Sequence, residues 1–395
     1  LGISLKINKT ATALLAFLAI NLALAGNGQT AAGESKKDAI QKSLAQATNV
    51  LQTRAGTEPV VLIGSSLILA PLWSVDVADG AFFKDCMQHH TSSHLEKLVD
   101  RPVVSLATAG QFVSDTYLIT EKLLNGKQRP SVLIYGVAPR DFMDDTTGGL
   151  AMTSVFDSLV ETKDFSKIDK LFFNNFDERG DFVLNRSVFL YRKRGRYQAK
   201  VQDFAAKLEN KMLAQLPLSN QAGSVAGAST DGNSKPASSA SLAANASAVD
   251  PLANFLLGGD RDAVWKQSIE EYAKRYKHFN AKQFEKQKEC FRALTALCAE
   301  RKIKLCVVAM PLTDDNLKLM PPGLYQQYIS FVKEATKEAA VPFLDLQTAK
   351  AYDESNFYDT VHLNSKGGEK FLSTVSNLVR EHDSVAAAKA APKTY

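Results

Sequence analysis

The chain is short of cysteine, short of net charge and short of long hydrophobic runs, and each shortage excludes a class of protein. Four cysteines (Cys86, Cys290, Cys298 and Cys306) in 395 residues are too few for a disulfide scaffold. None sits in a CxxC pair, which argues against a cysteine-rich zinc site. Cys290 and Cys298 would stand roughly 12 Å apart on a straight helix, too far to bridge, so free and buried thiols are expected. Lys and Arg total 47 against 42 Asp and Glu, and the resulting +5 is small for a nucleic-acid binder of this length. Only one apolar run approaches the length of a bilayer crossing, which excludes a polytopic membrane protein. What remains is ordinary globular composition, 45% apolar and 23% charged, and a wholly disordered chain is excluded too. The length suits one large domain with appendages.

The single apolar run lies at the start. Lys6 and Lys9 precede TATALLAFLAINLALAG, residues 10–26. A basic stretch followed by a greasy segment is an export signal. Ala23-Leu24-Ala25 offers small residues at the spacing of a signal-peptidase site. Residues 1–26 therefore read as a signal peptide or a membrane anchor, with both outcomes open. Either places the remainder outside the cytoplasm, as a secreted, periplasmic or membrane-anchored protein. Residues 36–54 run without a helix breaker, and 27–58 reads as a helical stalk.

A repeating pattern follows. Val60–Ile63, Val103–Leu106, Ser131–Tyr135, Ile303–Ala309 and Val341–Leu346 are short apolar runs. Helical stretches alternate with them over 81–99, 112–125, 281–302, 323–339 and 365–380. Short, continuously apolar strands between helices indicate a parallel sheet covered on both faces. With right-handed crossovers the fold class is α/β: a doubly wound, mainly parallel five-stranded sheet in a flavodoxin-like three-layer sandwich. Function in such sheets collects at the carboxyl ends of the strands. About 140 residues separate the third and fourth strands, far beyond an ordinary connection. The expected organisation is a first half over 59–150, an insertion or lid over 151–280, a second half over 281–385 and a tail over 386–395. Within the insertion, 219–250 is nearly all Ser, Ala, Gly, Asn and Thr and is expected to be a mobile loop.

Two motifs at the strand ends carry chemistry. The first strand runs into Gly64-Ser65-Ser66-Leu67, where a tight turn can present a serine hydroxyl. After the last strand stands Tyr358-Asp359-Thr360-Val361-His362-Leu363-Asn364, followed by Gly367-Gly368. Asp and His three apart can place the carboxylate on one imidazole nitrogen and leave the other free. Each motif alone is common. The order is informative: serine after the first strand, Asp-x-x-His after the last. It resembles the SGNH/GDSL hydrolase superfamily over about 60–150 and 282–382. Gly64-Ser65-Ser66-Leu67 is similar to that superfamily's Gly-Asp-Ser-Leu block, with Ser65 in the Asp position. Gly110 is similar to its second-block glycine. The Gly-Ser-Ser form, a proline in the third block and the N-terminal apolar segment resemble an envelope-facing branch. That branch includes the DltD family of D-alanylation proteins and polysaccharide O-acyltransferases and esterases.

The resemblance implies a catalytic triad: Ser66 as nucleophile, His362 as base and Asp359 as the group that orients it. The residues themselves leave Ser65 and Ser66 open as nucleophile, and only the alignment favours Ser66. The backbone N–H groups of Ser66 and Gly110 would face the oxyanion. The third block departs, reading Gly136-Val137-Ala138-Pro139-Arg140-Asp141, so Ala138 stands where the family has a donating asparagine. Arg140 is the nearest replacement donor; the alternative is a surface arginine paired with Asp141 or Asp144. The expected function is an extracytoplasmic serine esterase or O-acyltransferase working on acyl groups of a cell-envelope polysaccharide or exopolysaccharide. No cofactor, metal or nucleic acid is implied. Expected partners are the acylated polysaccharide or another ester, the membrane through an uncleaved N-terminal segment, and envelope acyl-transfer proteins. The competing reading is a catalytically degenerate binding or assembly protein.

Lesser features have bland explanations. His89, His90 and His94 read as partly exposed helix histidines rather than a metal site. Residues 191–196, YRKRGR, read as a solvated helix end or an anion-facing cluster. Asp314-Asp315 reads as a solvated turn. Trp73, Phe82 and Phe83 read as core, with an acyl pocket as the minor alternative.

Overall fold

The structure, a computed structural model, describes residues 36–81, 86–143, 149–173, 175–188, 260–277 and 279–390. The chain divides into two compact units, 1–31 with 175–248 and 32–174 with 249–395. In the first, the described part is one helix, Phe176–Ser187, N-capped by Asn175 Oδ1 on the Glu178 N–H at 2.8 Å.

Five strands form one all-parallel sheet in the order β2-β1-β3-β4-β5: β1 (Val60–Gly64), β2 (Val103–Ser105), β3 (Val132–Val137), β4 (Lys304–Ala309) and β5 (Phe343–Asp345). The three central strands are buried along nearly their whole length, because helices cover both faces. The expected doubly wound α/β fold is therefore the observed one. In this order the connections leave β1 in opposite directions, so the crevice between β1 and β3 is a topological switch point. Gly64 pairs with Gly136 there, at the carboxyl end of the sheet.

The longer helices of the second unit include α1 (Lys36–Thr53), α2 (Ser66–Ala78), α3 (Ser93–Val99), α4 (Val113–Leu123), α5 (Arg261–Tyr276), α6 (Ala281–Glu300), α7 (Leu324–Glu338) and α8 (Ser365–Ala390). Helix α2 is apolar on nearly every face apart from Ser74 and Asp76, as a largely buried helix must be, and α8 packs against it. That contact is close: a β-carbon at Gly368 would stand 2.7 Å from Val75 Cγ2 and 3.0 Å from the Pro71 carbonyl oxygen.

Three expectations are corrected. The supposed stalk is part of the domain: Ile40, Leu44, Ala47 and Leu51 form one buried helical stripe on α1, and Ser43 Oγ donates to the Met87 carbonyl at 2.6 Å. The helix expected over 81–99 is broken. A 3₁₀ turn covers Cys86–Gln88, and α3 begins only at Ser93. The cause is local hydrogen bonding, since Ser92 caps the Leu95 N–H and the 92–94 segment closes on the Asp76 carboxylate. The last helix extends to Ala390 rather than ending at 380, so the first half of the expected tail is helical. The mobile-loop reading of 219–250 lies outside the described residues, as does the export segment. Among the described residues no helix is long and apolar enough to cross a membrane.

Candidate active site

The turn after β1 puts two serines in opposite situations. Gly64 ends the strand at φ 147°, Ser65 is the N-cap residue of α2, and Ser66 opens the helix. The Ser65 hydroxyl is sealed in the interior with no partner among the described residues. The Ser66 hydroxyl stands 2.8 Å from His362 Nε2. The serine that sequence reading left ambiguous is thereby placed: Ser66 meets the imidazole, and Ser65 does not.

The Asp-x-x-His segment works as its spacing suggests. Asp359 Oδ1 accepts the N–H groups of Val361 and His362, both at 2.8 Å, which curls the loop. The same curl brings Asp359 Oδ2 to 2.7 Å from His362 Nδ1. A proton held on Nδ1 by the carboxylate leaves the Nε2 lone pair for the Ser66 hydroxyl. Burial pushes the Asp359 carboxyl up. The His362 charge and hydrogen bond, with the two backbone N–H groups, outweigh it and hold the group below the usual carboxylate range. Asp359 thus stays ionised beside the imidazole.

A knot of residues that sequence reading missed fixes this loop. Thr360, between Asp359 and His362, is wholly buried. Its hydroxyl meets Ser268 Oγ at 2.6 Å and accepts from Asn316 Nδ2 at 3.1 Å. Its carbonyl accepts from the Thr313 backbone and hydroxyl. Ser268 lies on α5, from the long insertion, and Thr313 and Asn316 follow β4. Helix α5 is further tied by Trp265 Nε1 to Asp315 and by the Tyr276 hydroxyl to Asn316 Oδ1, both at 3.2 Å. One sequence signal was available: Val264, Ser268, Tyr272 and Tyr276 recur at four-residue spacing, and all four are buried.

Opposite lies the turn after β2. The Thr108 N–H reaches both the Gly64 carbonyl, at 3.1 Å, and Gln111 Oε1, at 3.0 Å, so this turn is fastened to the end of β1. Gly110 sits at its tip with φ 75°, a conformation suited to glycine. Among the described residues, no acceptor meets the backbone N–H of Ser66 or of Gly110. Ala138 has no side chain to donate, and its own N–H is bound to Asp141 Oδ2 at 2.9 Å.

Arg140 is not a surface arginine. It is buried, with Nη2 donating to the Gln111 carbonyl at 2.7 Å and to Asp141 Oδ1 at 2.8 Å, and its guanidinium lies over Phe112. Nη1 faces Gly110, 3.8 Å from where a β-carbon would stand. Arg140 therefore braces the turn that carries Gly110. Asp144, the other expected partner, lies outside the described residues.

Behind this brace is a carboxyl group with an unusual titration. Asp115 accepts from Thr153 Oγ1 at 2.5 Å and from the Phe112 N–H at 3.1 Å. Burial pushes it up to about 7, against the Thr153 and Phe112 hydrogen bonds and the Arg140 charge. A carboxyl raised on folding contributes stability that is complete below its unfolded value near 4 and is lost as pH rises to about 7. Asp115→Asn removes this dependence. In urea unfolding at pH 5 and pH 8, the variant should gain about 2–3 kcal/mol relative to wild type at the higher pH. An equal difference at both values would show that Asp115 ionises normally.

The remaining candidates take no part in the site. His89 and His90 are 1% and 3% exposed, not partly exposed helix residues. His89 Nε2 pairs with Asp76 at 2.9 Å, and His94 Nδ1 with Asp79 at 2.7 Å. Among the described residues, no group of three or more His, Cys, Asp or Glu could hold a metal ion. Trp73 is buried on α2. All four cysteines are free and buried, and burial pushes the Cys298 and Cys306 thiols up to about 12 and about 11. Asp314 and Asp315 open a short helix capped by Thr313. Phe82, Phe83 and residues 191–196 lie outside the described residues. Comparison of the chain with protein-family models gives no match, and comparison with curated proteins gives none either.

Proposed function

We propose that this protein is an SGNH-type serine esterase or O-acyltransferase that passes acyl groups through Ser66. The observation that carries the proposal is the line Ser66 Oγ, His362 Nε2, His362 Nδ1, Asp359 Oδ2, with gaps of 2.8 and 2.7 Å at the mouth of the β1/β3 crevice. A serine is a poor nucleophile at its free pKa and needs a base within hydrogen-bond reach. Here His362 takes the Ser66 proton as Oγ bonds to the acyl carbon, and returns it to the leaving alcohol as the acyl–oxygen bond breaks. Asp359 holds the tautomer and offsets the charge that the imidazole gains. The backbone N–H groups of Ser66 and Gly110 take the developing oxyanion. Water or an acceptor hydroxyl then releases the acyl group from Ser66.

The substrate class rests on the N-terminal residues. An export segment places the domain outside the cytoplasm, held to the membrane if the segment is retained. Acylated cell-envelope polysaccharide or exopolysaccharide is the ester that such a domain meets, with envelope acyl-transfer proteins as its partners. The test uses the full chain with an aryl acetate, with and without a polysaccharide acceptor. Acyl transfer to the polysaccharide, abolished by Ser66→Ala, supports the transferase form. Rapid hydrolysis that no glycan diverts supports the esterase form. Stoichiometric glycan binding with no turnover at all favours a degenerate binding protein, a reading to which the absent side-chain donor at Ala138 lends weight.

A further inference from the structure

Asp359 and His362 ride on one small loop, and much of its hydrogen bonding is its own. Phe357 and Leu363 form an antiparallel bridge at its base. The Tyr358 N–H donates to the His362 carbonyl at 2.8 Å. Asp359 Oδ1 takes the Val361 and His362 N–H groups, and Asp359 Oδ2 stands 2.7 Å from His362 Nδ1. Such bonds set the shape of the loop and hold its carboxylate on its imidazole. They do not set where the imidazole stands relative to Ser66, which comes from a turn 296 residues away in the chain.

Thr360 is the tip of this loop, and its bonds run outward. Its carbonyl accepts the Thr313 N–H at 3.2 Å and the Thr313 hydroxyl at 2.9 Å. Its hydroxyl accepts from Asn316 Nδ2 at 3.1 Å and meets Ser268 Oγ at 2.6 Å. Its own N–H also reaches Ser268 Oγ, at 3.4 Å. Thr313 and Asn316 follow β4, whereas Ser268 comes from α5, 92 residues before Thr360. Ser268 thus holds Thr360 by both side chain and backbone. Ser268, Asn316 and Thr360 are each at most 1% exposed, so losing one partner leaves a buried polar group unpaired. Helix α5 presents Ser268 from a fixed place, because Trp265 is tied to Asp315 and Tyr276 to Asn316. His362 lies two residues beyond Thr360, about 7 Å of chain at most, so movement of the tip passes to the imidazole.

We propose that Ser268 is a positioning residue for proton transfer between Ser66 and His362. This rests on the esterase or acyltransferase reading above, and it makes α5 of the insertion part of the acid–base machinery. As the Ser66 Oγ–carbon bond forms, the Ser66 proton passes to His362 Nε2. As the acyl–oxygen bond breaks, His362 returns that proton to the leaving alcohol. Ser268 gives up no proton and forms no bond to the substrate. It acts through Thr360, holding the loop where Nε2 stands within transfer distance of Oγ. A misplacement of about 1 Å at such a centre costs about 10² in rate.

The experiment is Ser268→Ala in the full chain, with turnover of an aryl acetate counted per serine labelled by a fluorophosphonate. That count separates a slower site from fewer folded molecules. Per labelled site, kcat should fall by about 10–10², with KM within about threefold of wild type. Thr360→Val removes the hydroxyl that meets both Ser268 and Asn316 and should cost at least as much. Thr360→Ser keeps that hydroxyl and should hold kcat within about threefold of wild type, a rescue that the size of the side chain does not explain. The double variant Ser268→Ala/Thr360→Val should be no slower than Thr360→Val alone, since both changes break one contact. Trp265→Phe loosens the same helix without touching Thr360. Its melting temperature should fall while its kcat per labelled site stays within about threefold of wild type. Wild-type kcat per labelled site in Ser268→Ala, losses that multiply in the double variant, or an equal loss in Trp265→Phe overturns the proposal. A wild-type chain with no Ser66-dependent turnover instead overturns the parent reading, and this role with it.

Discussion

Fluorophosphonate labelling of the folded chain is expected at one residue, Ser66. Labelling should vanish in Ser66→Ala and His362→Ala and persist in Ser65→Ala. The reagent needs an activated serine, and of the two serines after β1 it is Ser66 that meets a base: its hydroxyl is 2.8 Å from His362 Nε2, whereas the Ser65 hydroxyl is sealed away. In turnover, losing either Ser66 or His362 should remove about 10⁴–10⁶ of rate, because the two act as a unit and their losses do not add. Asp359→Asn should cost about 10⁴ while leaving the fold intact, since an amide can present its N–H to Nδ1 and hold the wrong tautomer. Labelling that survives His362→Ala would mean that the short distance between serine and imidazole is not an activating contact. Labelling that moves to Ser65 would overturn the assignment of the nucleophile. Absence of labelling in folded wild type would sink the enzymatic reading and send the search to glycan pull-downs.

The second large effect is on stability. Gly64→Ala should destabilise the domain by about 3 kcal/mol or more and lower its melting temperature by about 6 °C or more. Two causes add. At φ 147° the residue has a conformation that side chains with a β-carbon rarely adopt. A β-carbon there would also stand 2.4 Å from the Gly136 carbonyl oxygen on β3 and 3.0 Å from Ile68 Cγ1 on α2. Neither the strand nor the helix can step back, because both are packed in the core. The strain falls on the turn that carries Ser66, so activity should fall in the protein that still folds. Thermal unfolding beside the active-site labelling rate measures both. A variant as stable as wild type would mean that the turn relaxes freely.

The legible parts of this protein are those governed by local rules. Strands β1, β2, β3 and β4 showed as short apolar runs because a sheet covered on both faces tolerates few polar residues. Asp359 and His362 could be paired on paper because three residues of one turn join them, and the Asp359 carboxylate closes that turn on the loop's own N–H groups. Where local rules mislead, long-range contacts compete. The helix expected over 81–99 yields to the Asp76 carboxylate, 13 to 18 residues away in sequence, which gathers His89, Ser92, Ser93 and His94. The presumed stalk carries an apolar stripe that sequence alone can show but cannot assign to a neighbour. The structure supplies that neighbour.

The same division runs through the candidate site. Sequence by itself determined the fold class and the strand-end positions of Ser66, Gly110, Asp359 and His362, because periodicity and short spacings are properties of neighbouring residues. Only the tertiary structure showed which of Ser65 and Ser66 meets the imidazole. A one-residue step around a helix start turns a hydroxyl from the interior to the imidazole, and the imidazole comes from 296 residues away. Only the tertiary structure turned Arg140 from a surface residue into a buried brace, and brought Ser268 from the insertion to the Asp359 loop. Those contacts join segments far apart in the chain. Their partners are chosen by how helices pack over the sheet, and no local pattern encodes that choice.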